Sequence, residues 1–283
     1  MKSVTMRAPA KINLTLEVGA KRDDCYHPLT SVMSHISLYD ELTVTKSESL
    51  EFETNASYLR NDDKNLCVVA ARRYLEYTGL EEEGVKITLK KLIPSNSGMG
   101  GGSTDAAAVI KLMERLFGEL DAAKRDELAL SLGADVPFCL TETSALCQGI
   151  GEIITPILPI SKRLYVVVAK NAQKLSTAKV YSDFDTSPAS FTGSHTDVIR
   201  SLESGNFCLL KNAMCNVFEK TIFLQCPEVE ALRERLLELG AFAARMTGAG
   251  PTVFALFEKR HIAEHALSAL RADRILSYFA YIL

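Results

Sequence analysis

Residues 94–107 combine glycines and hydroxyl side chains in a pattern suited to binding phosphate. The stretch reads Pro-Ser-Asn-Ser-Gly-Met-Gly-Gly-Gly-Ser-Thr-Asp-Ala-Ala, with glycines at positions 98, 100, 101 and 102. A backbone without Cβ atoms can approach a ligand closely, and the N–H groups of a first helical turn favour an anion. Ser103 and Thr104 add hydroxyl donors. We therefore predict a phosphate-binding loop. The alternative, a linker or plain strand-to-helix turn, needs fewer glycines.

The loop does not match the commonest phosphate-binding motifs. No G-x-x-x-x-G-K-[ST] segment occurs in the chain, and Ser103 stands where G-x-G-x-x-G requires its last glycine. The H-R-D and D-F-G motifs are also missing from the sequence, which argues against a protein kinase.

Periodic segments flank this loop on both sides. Upstream, Val85, Ile87 and Leu89 alternate with polar residues, which predicts a half-buried strand over 84–93. Downstream, apolar residues recur at helical spacing as far as Phe117, and Gly118 is a plausible stop. The loop is therefore expected to join a strand to a helix.

Lys11 and Asn13 lie in an alternating segment, Ala10 to Val18, that predicts a strand. Two residues along a strand advance roughly 6.6 Å on the same face, so the two side chains stand next to each other. They could serve a ligand together. An ordinary exposed strand face explains them slightly better from the sequence alone.

Asp135 lies in Leu132-Gly-Ala-Asp-Val-Pro-Phe138, after a helix stop and before a proline. One interpretation is a turn residue that satisfies its own backbone. The other is a catalytic base held on a rigid turn. Spacing leaves both interpretations open.

Tyr26 and His27, in the polar loop 22–29, offer an aromatic face and a ring nitrogen to a flat ligand, although such a pair is more often plain packing and surface.

The composition indicates a soluble globular protein. The 283 residues are 47% hydrophobic and 24% charged, with a net charge of −3, so no global basic field attracts nucleic acid or anionic lipid. Seven scattered cysteines without a C-x-x-C pair suit reduced thiols. The N-terminal residues lack the apolar core of a signal peptide, and no apolar run approaches the length of a membrane span. We expect a cytoplasmic protein without membrane or nucleic-acid partners.

The remaining pattern predicts two domains of mixed α and β structure. Strands are expected at 31–38, 41–46 and 144–148, a helix capped by Asn65 that runs to Tyr77 before Gly79, and a helix at 121–132. A loop or linker is expected at 186–194, where Ser, Thr, Pro and Gly concentrate. The pattern restarts after 155–162, so we place the domains at 1–158 and 159–283.

The second domain is expected to follow the split β-α-β-β-α-β pattern with extra helices inserted. Its predicted strands are 163–170, 241–246, 252–257 and 276–282, and its predicted helices are 227–239 and 260–270. A glycine turn, Met246-Thr-Gly-Ala-Gly-Pro251, joins the middle strands, and hairpin geometry alone explains it.

His261, Glu264 and His265 match the H-x-x-E-H motif of a class of zinc peptidases, but an ordinary buried helix stripe that includes Ala266 and Leu270 explains that segment better.

Together these segments resemble the small-molecule kinases named for galactokinase, homoserine kinase, mevalonate kinase and phosphomevalonate kinase, the GHMP kinases. The resemblance extends over nearly the whole chain. It is closest to the branch that phosphorylates the 2-hydroxyl of a methylerythritol carried on cytidine diphosphate, in the non-mevalonate isoprenoid pathway. Five ordered motifs carry it: Ala8-Pro-Ala-Lys-Ile-Asn-Leu14, Tyr26-His27, Gly98 to Thr104, Leu132-Gly-Ala-Asp-Val-Pro137 and Thr247-Gly-Ala-Gly250.

The resemblance implies a fold and a set of roles. The fold is α+β, with an N-terminal ATP-binding domain that contains a left-handed βαβ crossover, against the usual rule, and a ferredoxin-like C-terminal domain. Asp135 matches the catalytic base and Lys11 its partner at the acceptor hydroxyl. ATP and Mg²⁺ are the implied cofactors. The adenosine pocket matches Asn65 and Leu66, and the phosphate loop matches Pro94, Ser95, Asn96, Ser97, Gly98, Met99, Gly100, Gly101, Gly102, Ser103 and Thr104.

The implied acceptor is a cytidine-diphosphate sugar alcohol, and a monomer or weak homodimer is expected. The residues that match the acceptor side are Asn13, Tyr26, His27, Thr177 and Tyr181, with Tyr181 where an aromatic stacks on cytosine. Three positions depart from the pattern. Cys25 replaces a glycine and is expected to stiffen the acceptor loop, and Thr104 replaces a serine. Asp105 adds a carboxylate that is expected either to assist magnesium or to cap the helix.

Other readings of the sequence make different predictions. A kinase of the same family acting on mevalonate or homoserine would show no cytidine requirement. A regulatory module would bind nucleotide without forming ADP, although the presence of both Lys11 and Asp135 argues against it. A metallopeptidase would contain stoichiometric zinc.

Overall fold

The computed structural model describes residues 2–170 and 175–283 of the chain. The chain divides into two compact units that are not continuous in sequence. The first unit comprises Met1–Ala10, Tyr39–Ser95 and Gly100–Glu142, and the second comprises Lys11–Leu38, Asn96–Met99 and Thr143–Leu283. The expected domain boundary at 158/159 stays a prediction.

The described residues form strands and helices that alternate along most of the chain. In chain order they are β1 (Ser3–Asn13), β2 (Thr15–Val18), β3 (Leu29–Ser47), β4 (Glu51–Thr54), α1 (Leu66–Thr78), β5 (Gly84–Lys90), α2 (Gly101–Phe117), α3 (Ala122–Leu132), α4 (Val136–Cys139), β6 (Ala145–Gln148), β7 (Ile153–Pro156), β8 (Tyr165–Lys170), α5 (Thr177–Thr186), α6 (His195–Ser204), α7 (Phe207–Ala213), β9 (Cys215–Asn216), α8 (Glu219–Gln225), α9 (Pro227–Glu238), β10 (Ala243–Met246), β11 (Thr252–Phe257), α10 (Arg260–Ala272) and β12 (Leu276–Tyr281).

The first unit packs helices against a sheet. β5 pairs in parallel with β4 and antiparallel with the second half of β3, and the first half of β1 also pairs with β3. The alternation in β5 buries Val85, Ile87 and Leu89, as predicted. Helices α1 and α2 lie against each other, so α2 is buried along most of its length. The handedness of the β4-α1-β5 crossover stays a prediction.

Helix boundaries in the first unit follow the predicted caps. The Asn65 side chain accepts a hydrogen bond from the Cys67 N–H, and Gly79 ends α1 with a φ of 67°. Gly118 ends α2 and Gly133 ends α3. The start of α1 and the ends of all three helices therefore lie where the residue types predicted them.

The second unit contains the predicted split β-α-β-β-α-β pattern. Its four-stranded antiparallel sheet has the order β10-β11-β8-β12, which is the ferredoxin-like arrangement. α9 and α10 bury stripes that include Val229, Leu232, Ala266 and Leu270. The inserted helices are α5 to α8, and residues 187–194 form the expected loop.

Two strand predictions need correction. The segment 10–18 is not one strand, because the strand is interrupted at Leu14, between β1 and β2. The strands expected at 31–38 and 41–46 form one continuous 19-residue strand, β3, whose halves belong to different units. Alternation was weak between the two halves, so periodicity could not show that pairing continues.

Within residues 2–170 and 175–283, no helix has both the length and the apolar character needed to cross a lipid bilayer.

The same substitution at a buried and an exposed leucine tests this assignment of the core. Leu256 in β11 is fully buried, whereas Leu224 in α8 is 79% exposed. We expect Leu256→Ala to lower the free energy of unfolding by about 2–5 kcal/mol, because it leaves a cavity. Leu224→Ala should change it by less than about 0.5 kcal/mol. Urea denaturation of both variants measures the difference, and equal effects would show that the core is misassigned.

Candidate active site

The glycine loop leaves the start of α2 open to an anion. Gly100 is the N-cap residue of α2, with a φ of 66°, and among the described residues no side chain caps this helix. The first N–H groups of a helix have no acceptor within it. The Thr104 hydroxyl is buried without a hydrogen-bond partner in residues 2–170 and 175–283. This donor set fits a phosphate group.

A buried lysine side chain ties α2, just past its first turn, to the end of β5. Lys91 Nζ donates to Asp105 Oδ2 at 2.7 Å and also to Asp40 Oδ2. The other oxygen of Asp40 accepts from the Leu92 and Ile93 N–H groups. Asp40 and Lys91 were not predicted as site residues. They fix the chain on both sides of the glycine loop within the first unit.

Asp105 lacks one of the two roles expected from the sequence, that of helix cap. It does not cap α2, since Gly100 holds the N-cap position and no side chain caps the helix within the described residues. Burial, together with the neighbouring Asp40 carboxylate, raises the pKa of Asp105 to about 8 despite the opposing effect of Lys91. The magnesium role expected of Asp105 stays a prediction.

Asn13 is the centre of a hydrogen-bond network in the second unit. Its Oδ1 accepts from Lys11 Nζ at 2.8 Å, from Thr247 Oγ1 at 3.2 Å and from the Gly248 N–H at 3.0 Å. Its Nδ2 donates to Ser31 Oγ at 2.9 Å. Asn13, which matches an acceptor-side residue, therefore forms most of its side-chain hydrogen bonds with other groups of the protein.

Lys11 and Asn13 do not lie on an exposed strand face. Their side chains are buried, with relative exposures of 3% and 2%. The exposed-face interpretation was therefore wrong. Alternation along β1 reports that two faces differ in polarity but not whether the polar face meets solvent. A buried lysine bonded to an amide oxygen is held in one orientation, as a positioning role requires.

The second glycine turn is a hairpin, as predicted, and it also contacts the glycine loop. It joins β10 to β11, and the Thr247 N–H donates to Thr252 O at 3.0 Å. Thr247 Oγ1 also lies 3.2 Å from Gly98 O. A Cβ on Gly98 would lie 2.1 Å from Thr247 O, and Gly98 has a φ of +70°. Only glycine permits this close approach.

Asp135 stands at the start of the short helix α4. It occupies the N-cap position, and its side chain makes no capping hydrogen bond to that helix. The following residues, Val136, Pro137 and Phe138, are all buried. This anchoring fixes the backbone from which the half-buried Asp135 carboxylate projects.

A cavity of about 350 Å³ in the first unit lies beside the start of α1 and is lined in part by Asn65. The Asn65 amide holds the adjacent loop by donating to Arg60 O at 2.9 Å. Leu66 lies next to the glycine loop, since a Cβ on Gly102 would be 3.6 Å from its Cδ1. Tyr58, whose ring is 57% exposed, also lines the cavity and was not predicted.

Two of the predicted acceptor-side residues meet in the second unit. The His27 and Tyr181 rings have centroids 5.0 Å apart, and Tyr181 packs edge-on against Phe218. Thr177 begins α5 one helical turn before Tyr181 and is exposed. Tyr26 is 56% exposed. The described contacts therefore join His27 to Tyr181, while Tyr26 stands at the surface.

Asp185 is a further residue of this cluster that the sequence analysis missed. Its Oδ1 lies 2.7 Å from His27 Nε2, and the residue lines a cavity of about 460 Å³. Asp185 follows Thr177 and Tyr181 at spacings of eight and four residues on α5. That helical spacing is a signal that could have identified it, had α5 been predicted.

Two family models match the chain. One describes the N-terminal domain of GHMP kinases and matches residues 65–143, and the other describes the C-terminal domain and matches residues 198–274. Two curated relatives are each named 4-diphosphocytidyl-2-C-methyl-D-erythritol kinase. The one from Clostridium botulinum (strain Eklund 17B / Type B) is 37% identical, covering 90% of this chain and 91% of its own. The one from Caldicellulosiruptor saccharolyticus is 38% identical, covering 94% and 92%.

The chain belongs to the GHMP kinases.

Solved structures of GHMP kinases agree with this assignment. A structure titled 4-(cytidine 5'-diphospho)-2C-methyl-D-erythritol kinase matches with a TM-score of 0.84 and 33% identity, covering 99% of both chains. Homoserine kinase from Cytophaga hutchinsonii matches with a TM-score of 0.76 at 19% identity, a likeness of fold alone. The α+β GHMP kinase fold and the ATP-dependent small-molecule kinase class expected from the sequence are therefore confirmed.

The zinc-peptidase interpretation finds no support in the geometry. In residues 2–170 and 175–283, no group of three or more His, Cys, Asp or Glu residues is placed to hold a metal ion. Glu264 instead pairs with Arg260 at 2.8 Å on the exposed side of α10. The buried stripe of that helix accounts for its sequence, as expected.

The departure at Cys25 has a visible backbone consequence. Cys25 has a φ of 68°, in the left-handed region that favours glycine. The turn is closed by hydrogen bonds from Cys25 N to Arg22 O and from Arg22 N to Tyr26 O. Glycine would adopt this turn without the cost of a Cβ atom, whereas the stiffening of the loop by cysteine stays a prediction.

The raised pKa of Asp105 predicts a pH dependence of stability. A carboxyl group whose pKa rises from 3.8 to about 8 on folding contributes stability that is complete below about pH 4 and lost as the pH rises through 8. We expect Asp105→Asn to flatten the decline in unfolding free energy between pH 5 and 8. Denaturant titrations across that range measure it. Asp126→Asn, at an exposed position on α3, should leave the decline unchanged, and an unchanged slope in Asp105→Asn would contradict the assignment.

Proposed function

We propose that this chain is an ATP-dependent kinase that phosphorylates the 2-hydroxyl of 4-diphosphocytidyl-2-C-methyl-D-erythritol, in the non-mevalonate route to isoprenoid precursors. The observation that carries the choice of acceptor is the shared name of the curated relatives, which match about nine-tenths of the chain at 37–38% identity. The cluster of His27, Tyr181 and Asp185 supports it, because an aromatic face beside a polar ring suits a nucleobase.

Residues 94–104 are proposed to hold the ATP phosphates. The uncapped start of α2 and the buried Thr104 hydroxyl support this role. Asn65, Leu66 and the adjoining cavity of about 350 Å³ are proposed to hold the adenosine. A magnesium ion, when bound to ATP, would neutralise charge on the phosphates, and we assign no side chain to it.

Asp135 is proposed as the general base and Lys11 as the group that orients the acceptor hydroxyl. As the acceptor oxygen forms its bond to the γ-phosphorus, the bond from that phosphorus to the β–γ bridging oxygen breaks and ADP leaves. Asp135 takes the hydroxyl proton, and the Lys11 ammonium offsets developing negative charge. The fixed backbone at Asp135 and the buried Lys11–Asn13 bond support these roles.

His27, Thr177 and Tyr181 are proposed to bind the cytidine diphosphate part of the acceptor, with Tyr26 at the exposed edge. Asn13 is proposed to act at the same side mainly by holding Lys11. We further propose a cytoplasmic monomer or weak homodimer. The net charge of −3 supports the absence of a nucleic-acid partner.

The test is ADP formation from ATP and Mg²⁺ with 4-diphosphocytidyl-2-C-methyl-D-erythritol, beside parallel assays with mevalonate, homoserine and galactose. We expect turnover with the cytidyl acceptor alone. Asp135→Asn keeps the shape of the side chain and removes the base, so it should lower kcat at least about a hundredfold.

Each other outcome points to a different reading. Turnover of another acceptor would retain the kinase class and overturn the proposed substrate. Near-normal turnover by Asp135→Asn would reject the base assignment. ATP binding without ADP formation on any acceptor would indicate a regulatory module.

A further inference from the structure

Asn216 clamps the second glycine turn from the neighbouring strand β9. Its Nδ2 donates to Met246 O at 2.8 Å and to Gly248 O at 2.9 Å, and its Oδ1 accepts from the Phe218 N–H at 3.0 Å. The residue is 3% exposed. One buried amide therefore holds both ends of the segment that contains Thr247.

Glu219 holds the same segment from the start of α8. Its Oε1 accepts from the Met246 N–H at 2.7 Å. Its Oε2 lies 3.8 Å from Arg233 NH1 and 4.0 Å from Arg245 Nε. Met246 is thus bonded at its carbonyl by Asn216 and at its N–H by Glu219. Two side chains three residues apart fix the backbone immediately before Thr247.

The segment held by Asn216 and Glu219 is itself hydrogen-bonded to Asn13. Thr247 Oγ1 and the Gly248 N–H both bond to Asn13 Oδ1, and Asn13 N donates to Thr247 Oγ1 at 3.1 Å. The same Asn13 oxygen accepts from Lys11 Nζ. A displacement of the turn would therefore remove two of the three donors to this oxygen and leave only Lys11 Nζ.

We propose that Asn216 and Glu219 are positioning residues that set the place of the Lys11 ammonium group through the second glycine turn. Neither side chain is assigned a contact with substrate. The proposal rests on the proposed function for the role of Lys11 in turnover, but the placement of Lys11 itself is measurable without turnover.

Asn216→Asp is the sharpest variant. It keeps the size of the side chain and the oxygen that accepts from Phe218 N–H, but it replaces the donor amide with a carboxylate oxygen facing two carbonyls. We expect kcat to fall at least about tenfold, because small displacements of a positioning group are costly, while the KM for ATP stays within about threefold. The deficit should shrink as the pH falls, because a protonated carboxyl can donate again to one carbonyl.

Glu219 supplies a matched pair of variants. Glu219→Gln keeps an oxygen for the Met246 N–H and removes the charge, so it should retain activity within about threefold. Glu219→Ala removes the acceptor and should resemble Asn216→Asp. Equal losses in the two Glu219 variants would show that charge, rather than the hydrogen bond to the turn, matters, and would overturn the proposal for this residue.

Amine labelling, mapped by mass spectrometry, measures how accessible the Lys11 ammonium group is without any substrate. Lys11 is almost fully buried, whereas the Lys179 side chain is 69% exposed and serves as the internal reference. We expect Asn216→Asp and Glu219→Ala to speed labelling of Lys11 at least about fivefold relative to Lys179, and Glu219→Gln to leave it unchanged. Unchanged labelling in both disruptive variants would overturn the proposal. If Asn216→Asp fails to fold, the Glu219 pair decides alone.

A double-mutant cycle separates positioning of Lys11 from general damage. In a Lys11→Ala background, Asn216→Asp should cost little further activity, because the group that it displaces is already gone. An equal loss in both backgrounds would overturn the proposal. Wild-type protein that forms no ADP with the cytidyl acceptor would refute the proposed function, while the labelling result would still decide whether the clamp exists.

Discussion

The side-chain oxygen of Asn13 joins β1 to the second glycine turn within the second unit. It accepts hydrogen bonds from a lysine ammonium, a threonine hydroxyl and a backbone N–H. These donors come from β1 and from a turn more than 230 residues later in the chain. A buried acceptor without such partners would destabilise the fold. The hydrogen bond from Lys11 both pairs this buried oxygen and holds the lysine ammonium group in place.

A comparable arrangement orders the first unit, with charge in place of an amide. Lys91 lies between Asp40 and Asp105, while Asp40 also accepts two backbone N–H groups. Two carboxyl groups around one ammonium are hard to keep ionised together in a buried site, and the raised pKa of Asp105 expresses that cost. The cluster holds α2 near its start, where no side chain of the described residues caps the helix.

Local chemistry made much of the fold predictable. Asn65 begins α1, and Gly79 and Gly118 end α1 and α2, as their residue types indicate. The split β-α-β-β-α-β pattern followed from strand and helix periods. The positioning residues were not predictable in the same way. Asn216 and Asp40 act on segments distant in sequence, and neither lies in a motif with a spacing that signals its role. Asp185 was missed because α5 itself was not predicted, and the burial of Lys11 depends on elements that the strand pattern does not report.

Substitution of Thr247 decides whether the second glycine turn positions Lys11 through Asn13. Its buried hydroxyl accepts from the Asn13 N–H and lies 3.2 Å from both Asn13 Oδ1 and Gly98 O. Thr247→Val keeps the shape and removes these bonds, whereas Thr247→Ser keeps the hydroxyl and removes a methyl group. The measurement is kcat for ADP formation with the cytidyl acceptor in both variants. We expect kcat to fall at least about tenfold in Thr247→Val and less than about threefold in Thr247→Ser. Equal activity in the two variants would contradict this role of the turn.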